Sequence, residues 1–133
     1  NEVLNFIESS HQTDIRVLLG DLNTGPAVAG IDGVFPDNFK LLVDAGWTVP
    51  YVDLQESPLC TSCAENTLRD SESRAIIDHV LFQTAPGSTL DVRSVERLLD
   101  ERISLTVDGE PVESDLSDHY GVRVTVGDTA GDE

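Results

Sequence analysis

At 133 residues, 39 % of them hydrophobic, the chain is long enough for one domain with a real core and too short for two ordinary ones. Its 25 acidic against 8 basic residues give a formal net charge of −17, with Lys40 the only lysine. Such a surface repels nucleic acid and anionic membranes at long range, and suits either the attraction of cations or hydration in high salt or acid. No apolar run reaches the length of about 18 residues that a membrane span requires, so no transmembrane segment is expected.

The first predicted element is a helix over 2–10, "EVLNFIESS", with Val3, Leu4, Phe6 and Ile7 near one face. It leads through Ser and His11 into "IRVLL", an apolar run that predicts a strand buried on both faces and ending at Gly20. The Gly- and Pro-rich stretch 23–38 reads as loop. In "PDNFKLLVDAGW" a second helix is expected, with Asp37 or Asn38 as N-cap, Phe39, Leu41 and Leu42 as its apolar stripe, and Gly46 as its stop.

From Thr48 to Ser73 the chain reads as irregular, broken by a brief strand at "VPYVDL"; a loop this long in a small domain is usually functional or covers a site. "RAIIDHVLF", 74–82, is the clearest strand, with Asp78 in its middle. "TLDVRSVERLLDERISL" starts extended and is compatible with a second strand or a helix after that. Asp108 and Gly109 mark a turn, and "SDLSDHYGVRVTV" is a polar loop feeding a strand with Val122, Val124 and Val126 on one face. "GDTAGDE" closes as a loose tail, so residues 1–127 form the domain and 128–133 a flexible acidic end. No internal repeat is visible.

Cys60 and Cys63 stand in "LCTSCAEN". Zinc needs about four ligands and no second pair exists; the thioredoxin-like βαβ context of a redox CxxC is also missing. A local disulfide formed in an oxidising compartment, or two free thiols, are the alternatives, with the disulfide and a secreted or periplasmic location favoured. No signal peptide is visible, but a chain that begins at Asn1 and holds no methionine reads as a piece of a longer gene product.

Three polar clusters fall at strand edges: Gly20-Asp21-Leu22-Asn23, Ile77-Asp78-His79 and Ser117-Asp118-His119. Each alone fits an ordinary turn or sheet-edge residue. In order and context, "GDLN", "IDHVLF" and "SDHYGV" closely resemble the G-D-[FL]-N, I-D-[YH]-[IV] and S-D-H-x-[PG]-V motifs of the endonuclease/exonuclease/phosphatase superfamily, the deoxyribonuclease I-like metal-dependent phosphoesterases. The resemblance covers nearly the whole chain and corresponds to the C-terminal half of a family domain.

It implies an α/β (α+β) fold, the four-layer α/β sandwich of deoxyribonuclease I-like proteins, of which this chain supplies one sheet and its helices. It also implies roles. Asp21 would orient or deprotonate the attacking water or bind metal; Asn23 would hold a phosphoryl oxygen or complete a metal shell; Asp118 would be a metal ligand. His119 would meet the phosphate as a charged donor, with Asp78 behind it to fix its tautomer and favour the protonated ring. Mg²⁺ is the implied ion, with Mn²⁺ or Ca²⁺ as alternatives. His79, next to Asp78 on a strand, points to the opposite face and reads as a packing residue, and His11 has no role beyond a helix end.

The implied substrate is a phosphodiester, in nucleic acid or in a phospholipid headgroup. A secreted lipid phosphodiesterase of sphingomyelinase type is the nearest alternative, and a noncatalytic or truncated binding module is the rival of another class. An acidic calcium-binding domain is disfavoured, because no D-x-[DN]-x-[DN]-G loop occurs. Arg69 and Arg74 flank the 54–74 loop and either approach substrate or are solvated loop charges. The family's metal-binding Glu, with a further Asn and His, belongs to the first half of the domain. The expected partner is therefore an N-terminal half of the same domain, or a second copy covering the same sheet face.

Overall fold

The computed structural model describes residues 2, 5, 6 and 15–127. The expected first helix, apart from residues 2, 5 and 6 in helical conformation, together with His11 and the 128–133 tail, lies outside the described residues. Beyond the helical residues 2, 5 and 6, the described residues form a mixed α+β structure of three small antiparallel sheets and two short helices. No helix among the described residues is long and apolar enough to cross a membrane.

Strand β1 (Ile15–Asp21) pairs antiparallel with β2 (Asp78–Thr84) from Ile15 opposite Thr84 to Asp21 opposite Asp78. Burial of β1 on both faces is not what the fold delivers. Leu18 packs into the core, whereas Ile15, Val17 and Leu19 are 43 %, 50 % and 67 % exposed. The reason is topological: side chains alternate along a strand, and among the described residues one face of β1 meets the helical layer. The unbroken apolar run thus describes one covered and one partly exposed face. Strand β2 begins at Asp78, so that aspartate opens the strand and does not interrupt it, while residues 74–77 make only an isolated bridge from Ala75 to Ser62.

Helix α1 (Pro36–Asp44) buries Phe39 and Leu42 against Trp47, Val49 and Leu81, with Leu18 and Leu22 at the margin. Its start differs from the expected Asp37 or Asn38 cap. Pro36 occupies the first turn, where its missing N–H costs nothing, and Phe35 caps it in the left-handed region at φ 42° with no side-chain hydrogen bond. Leu41 lies off the buried stripe, 44 % exposed. Gly46 ends the helix as expected, at φ 85°, its amide donating to the Val43 carbonyl at 2.9 Å.

"VPYVDL" is not a strand. Pro50 fixes the φ of a first helical turn, and the Asp53 carboxylate accepts the Val49 amide at 2.9 Å, which closes the single-turn helix α2 (Pro50–Asp53). Tyr51 from this turn is fully buried with Ile31, Cys60, Cys63, Ile76 and Tyr120 in a second core cluster. Burial of side chains of this size contributes about 1.5–3 kcal/mol each.

The ambiguous 89–105 stretch resolves as strand then strand. β3 (Asp91–Leu98) pairs with β6 (Gly121–Gly127), and β4 (Ile103–Val107) pairs with β5 (Glu110–Ser114) across the Asp108–Gly109 turn. Both turn residues have positive φ, 51° and 87°, which a two-residue hairpin turn of this kind demands. On β6, Val122 and Val124 are partly buried but Val126 is 42 % exposed, so the expected apolar face is covered only near the site end of the strand.

Candidate active site

The register of the first sheet places the last residue of β1 directly against the first residue of β2, so Asp21 and Asp78 are cross-strand neighbours at one end of the sheet. Two carboxylates in that relation repel each other unless a positive group intervenes. His119 joins them: its Nδ1 lies 2.9 Å from Asp78 Oδ2, and its side chain and that of Asp78 are 25 % and 20 % exposed. Potential ligand atoms of Asp21, Asp78 and His119 all lie within 4.8 Å of one another. Three motifs far apart in sequence thus meet at one point.

Asn23 is exposed and sits in the left-handed region at φ 49°, a conformation that Asn tolerates better than most residues. Its amide donates to Asp21 Oδ1 at 2.8 Å, so this short turn orients the Asp21 carboxylate. Asp118 is exposed as well, its Oδ1 3.4 Å from Ser117 Oγ, and it stands outside the group of three. A cleft of about 220 Å³ opens beside Asp21 and Asp78, walled by Leu19, Val80 and Val122, with Gly20 and Gly121 at its edge.

His79 faces the other way, as the strand alternation requires. It is 2 % exposed, stacks near Phe39, and pairs through Nε2 with the Thr24 carbonyl at 2.8 Å. Burial pushes its ring below the ordinary histidine value of 6.5, against the opposing pull of that carbonyl and of Asp78. The neutral ring holds the loop after Asn23 to the sheet. Gly25 in that loop passes so close to the chain entering β2 that a Cβ would meet the Ile76 carbonyl oxygen at 1.7 Å.

The residues that support the site were not legible as such in the sequence. Thr61 is fully buried; its hydroxyl accepts from the amides of Ile77 (3.1 Å) and Asp78 (3.2 Å), and its carbonyl accepts from the Tyr120 amide at 2.8 Å. Asn66 Nδ2 donates to the Ser117 carbonyl at 2.8 Å. Asp115 is 3 % exposed and gathers the Thr67 amide and hydroxyl, the Tyr120 hydroxyl and, at 3.5 Å, Arg102. The Thr67 amide above all, with the other donors, holds the Asp115 carboxyl below the usual range. The long 54–74 loop is therefore the scaffold of the 115–120 segment. Its length was the only sequence signal for that role.

Of the two arginines flanking this loop, Arg74 is ion-paired with Glu65 at 3.0 Å, and the Arg69 amide closes a turn onto Asn66 at 3.2 Å. Cys60 and Cys63 form a disulfide, one of the two alternatives left by the sequence. No family model, no curated protein and no solved structure matches the chain.

Proposed function

We propose that the chain carries one half of the reaction centre of a metal-dependent phosphodiester hydrolase, a nuclease or phosphodiesterase that works by attack of activated water on phosphorus. The observation that carries the reading is the meeting of Asp21, Asp78 and His119, with His119 Nδ1 bonded to Asp78 at 2.9 Å. That bond leaves the far nitrogen of the ring for a phosphoryl oxygen, and the carboxylate behind it stabilises the ring when it carries charge. Asp21, fixed by the Asn23 amide, has a second oxygen free of that contact to orient or deprotonate water. The exposed Asn23 side chain adds a neutral donor for the phosphate.

The donor set suits a hard divalent cation. Carboxylate and amide oxygens on exposed chain ends leave room for the waters that Mg²⁺ retains, and Mn²⁺ or Ca²⁺ shares the oxygen preference. Asp21, Asn23 and Asp118 would hold the ion, which supplies neutralisation of charge on the phosphoryl oxygens. In the same reading the fold is half of a deoxyribonuclease I-like sandwich. The exposure of the apolar Val17 and Leu19, 50 % and 67 %, supports it, since a second half of the domain, or a second copy of this chain, would cover them.

The reading is tested by assaying the gene product that carries these residues against DNA, RNA, sphingomyelin and a chromogenic diester, with and without Mg²⁺. Mg²⁺-dependent hydrolysis lost in Asp21→Ala is the expected result, and the preferred diester separates nuclease from lipid phosphodiesterase. No hydrolysis of any diester by that product would favour a noncatalytic binding module. The 133-residue chain by itself is expected to have no substantial activity, because the group formed by Asp21, Asp78 and His119 includes no glutamate among the described residues, whereas the family takes a glutamate ligand from the other half of its domain.

A further inference from the structure

The Cys60–Cys63 loop touches two of the three motifs of the candidate site, those of Asp78 and His119, through one residue. Thr61 lies inside the disulfide ring, fully buried. Its hydroxyl anchors the backbone of Ile77 and Asp78, and its carbonyl anchors Tyr120, the residue after His119. The Thr61 and Ser62 amides both donate to the Ala75 carbonyl, at 2.9 and 3.0 Å, which ties the loop to the chain entering β2. The relative position of Asp78 and His119 is thus set where both strands of contact meet, at Thr61.

We infer that Thr61 is a positioning residue for the Asp78–His119 pair, and that the Cys60–Cys63 disulfide keeps it in place, so that reduction of the disulfide loosens the pair. Arg97 makes the loop chemically responsive. Its Nη1 donates to the Cys60 carbonyl at 3.0 Å and stands 3.6 Å from Cys63 Sγ, while its guanidinium stacks over the Tyr120 ring at 4.4 Å. Of the two buried cysteines only Cys60 keeps any exposure, 4 %, so a thiolate entering as the loop opens locally reaches Cys60 first. Attack there breaks the Sγ–Sγ bond and releases Cys63 as a thiolate beside the guanidinium, which favours that leaving group. A small dithiol completes the exchange: it loses two electrons and two protons to become a cyclic disulfide, and both cysteines end as thiols. The Arg97 contact to the Cys60 carbonyl and the Tyr120 contact to Thr61 then rest on an open loop.

The effect on turnover rests on the phosphodiesterase reading, whereas the effect on the Asp78–His119 pair does not. The test therefore reads both in the oxidised protein, in protein reduced with dithiothreitol to two thiols per chain, and in Thr61→Val and Thr61→Ser. Ring-nitrogen NMR of His119 is expected to show a proton held on Nδ1 in the oxidised wild type and in Thr61→Ser. Exchange-averaged nitrogens are expected in Thr61→Val and after reduction. In the gene product that carries these residues kcat falls about tenfold or more, as when outer hydrogen-bond partners of a reacting group are lost, with KM little changed.

Unchanged His119 nitrogens in verified reduced protein and in Thr61→Val would overturn the inference. So would loss of all amide dispersion on reduction, because the disulfide would then hold the whole fold and not the pair. A shift at His119 in a protein that hydrolyses no diester in any state would support the positioning role and overturn the phosphodiesterase reading alone.

Discussion

His79 and His119 each follow an aspartate, in Asp78-His79 and Asp118-His119, and the fold uses them in opposite ways. His79 is sealed under Phe39 as a neutral ring on the Thr24 carbonyl, whereas His119 is half-exposed and shares its Nδ1 with the Asp78 carboxylate. Because burial lowers the folded value of His79 below 6.5, the unfolded chain takes up the proton more readily. The sign is then fixed: stability is intact above the unfolded value and falls as pH drops through it towards the lower folded value. Urea midpoints measured from pH 7.5 down to 5.5 should decline in the wild type and decline less in His79→Gln. Equal slopes would mean that the ring is not buried neutral. For the other histidine the sensitive partner is its carboxylate: Asp78→Asn keeps the shape of the pair but removes its charge. Mg²⁺-dependent diester hydrolysis by the gene product that carries these residues should drop about 10²-fold in kcat, in the range for lost acid–base or electrostatic assistance. Gly25→Ala offers a purely structural counterpart. The added methyl has no space before the Ile76 carbonyl, so a loss of about 1–3 kcal/mol, as for other overpacked sites, is expected in denaturant titration.

Among elements, the β4–β5 hairpin and the 54–74 loop invert the usual expectation. The hairpin is regular, but its strands expose Leu105, Val107 and Val112, and among the described residues no other element packs closely on them. The loop has no regular structure and yet buries Thr61, Ser62, Cys63 and Asn66. Hydrogen exchange should therefore be faster in the amides of β4 and β5 than in the Thr61 and Ser62 amides bonded to Ala75. The reverse order would show that the loop is not a scaffold. The same contrast explains what was legible in the sequence. Periodicity and turn chemistry located β1, α1, β6 and the Asp108–Gly109 turn, because those signals are local. They could not show that α2 replaces a strand at Pro50, since a single helical turn fixed by Pro50 and Asp53 leaves no periodic trace. Nor could they show Asp115 or Thr61 as supports, because hydrogen bonds that span 16 residues, as from Ile77 to Thr61, or 48, as from Thr67 to Asp115, depend on tertiary placement alone. The candidate residues Asp21, Asp78 and His119 stood out in the sequence through the resemblance of their three motifs to a known family, since each polar cluster alone fits an ordinary turn, and the register that sets Asp21 opposite Asp78 was not legible there.

At the scale of the whole molecule two properties oppose each other. The charge of −17 keeps copies apart, while Ile15, Val17 and Leu19 offer an apolar sheet face beside the site. Raising salt to about 1 M shrinks the screening length to about 3 Å, so association of the 133-residue chain should grow with concentration under those conditions. A clean monomer by light scattering throughout would argue that the face needs no cover. The same charge makes cation binding in general uninformative, since any acidic surface gathers counterions, and only the position of the ion discriminates. Mn²⁺ added in trace amount, with amide and His119 ring resonances followed by NMR, reads that position directly. If the three motifs form one cation-assisted reaction centre, broadening is confined to residues around Asp21, Asp78 and His119 and is reversed by excess Mg²⁺. Broadening spread evenly over the acidic surface, with no focus at that point, would contradict it.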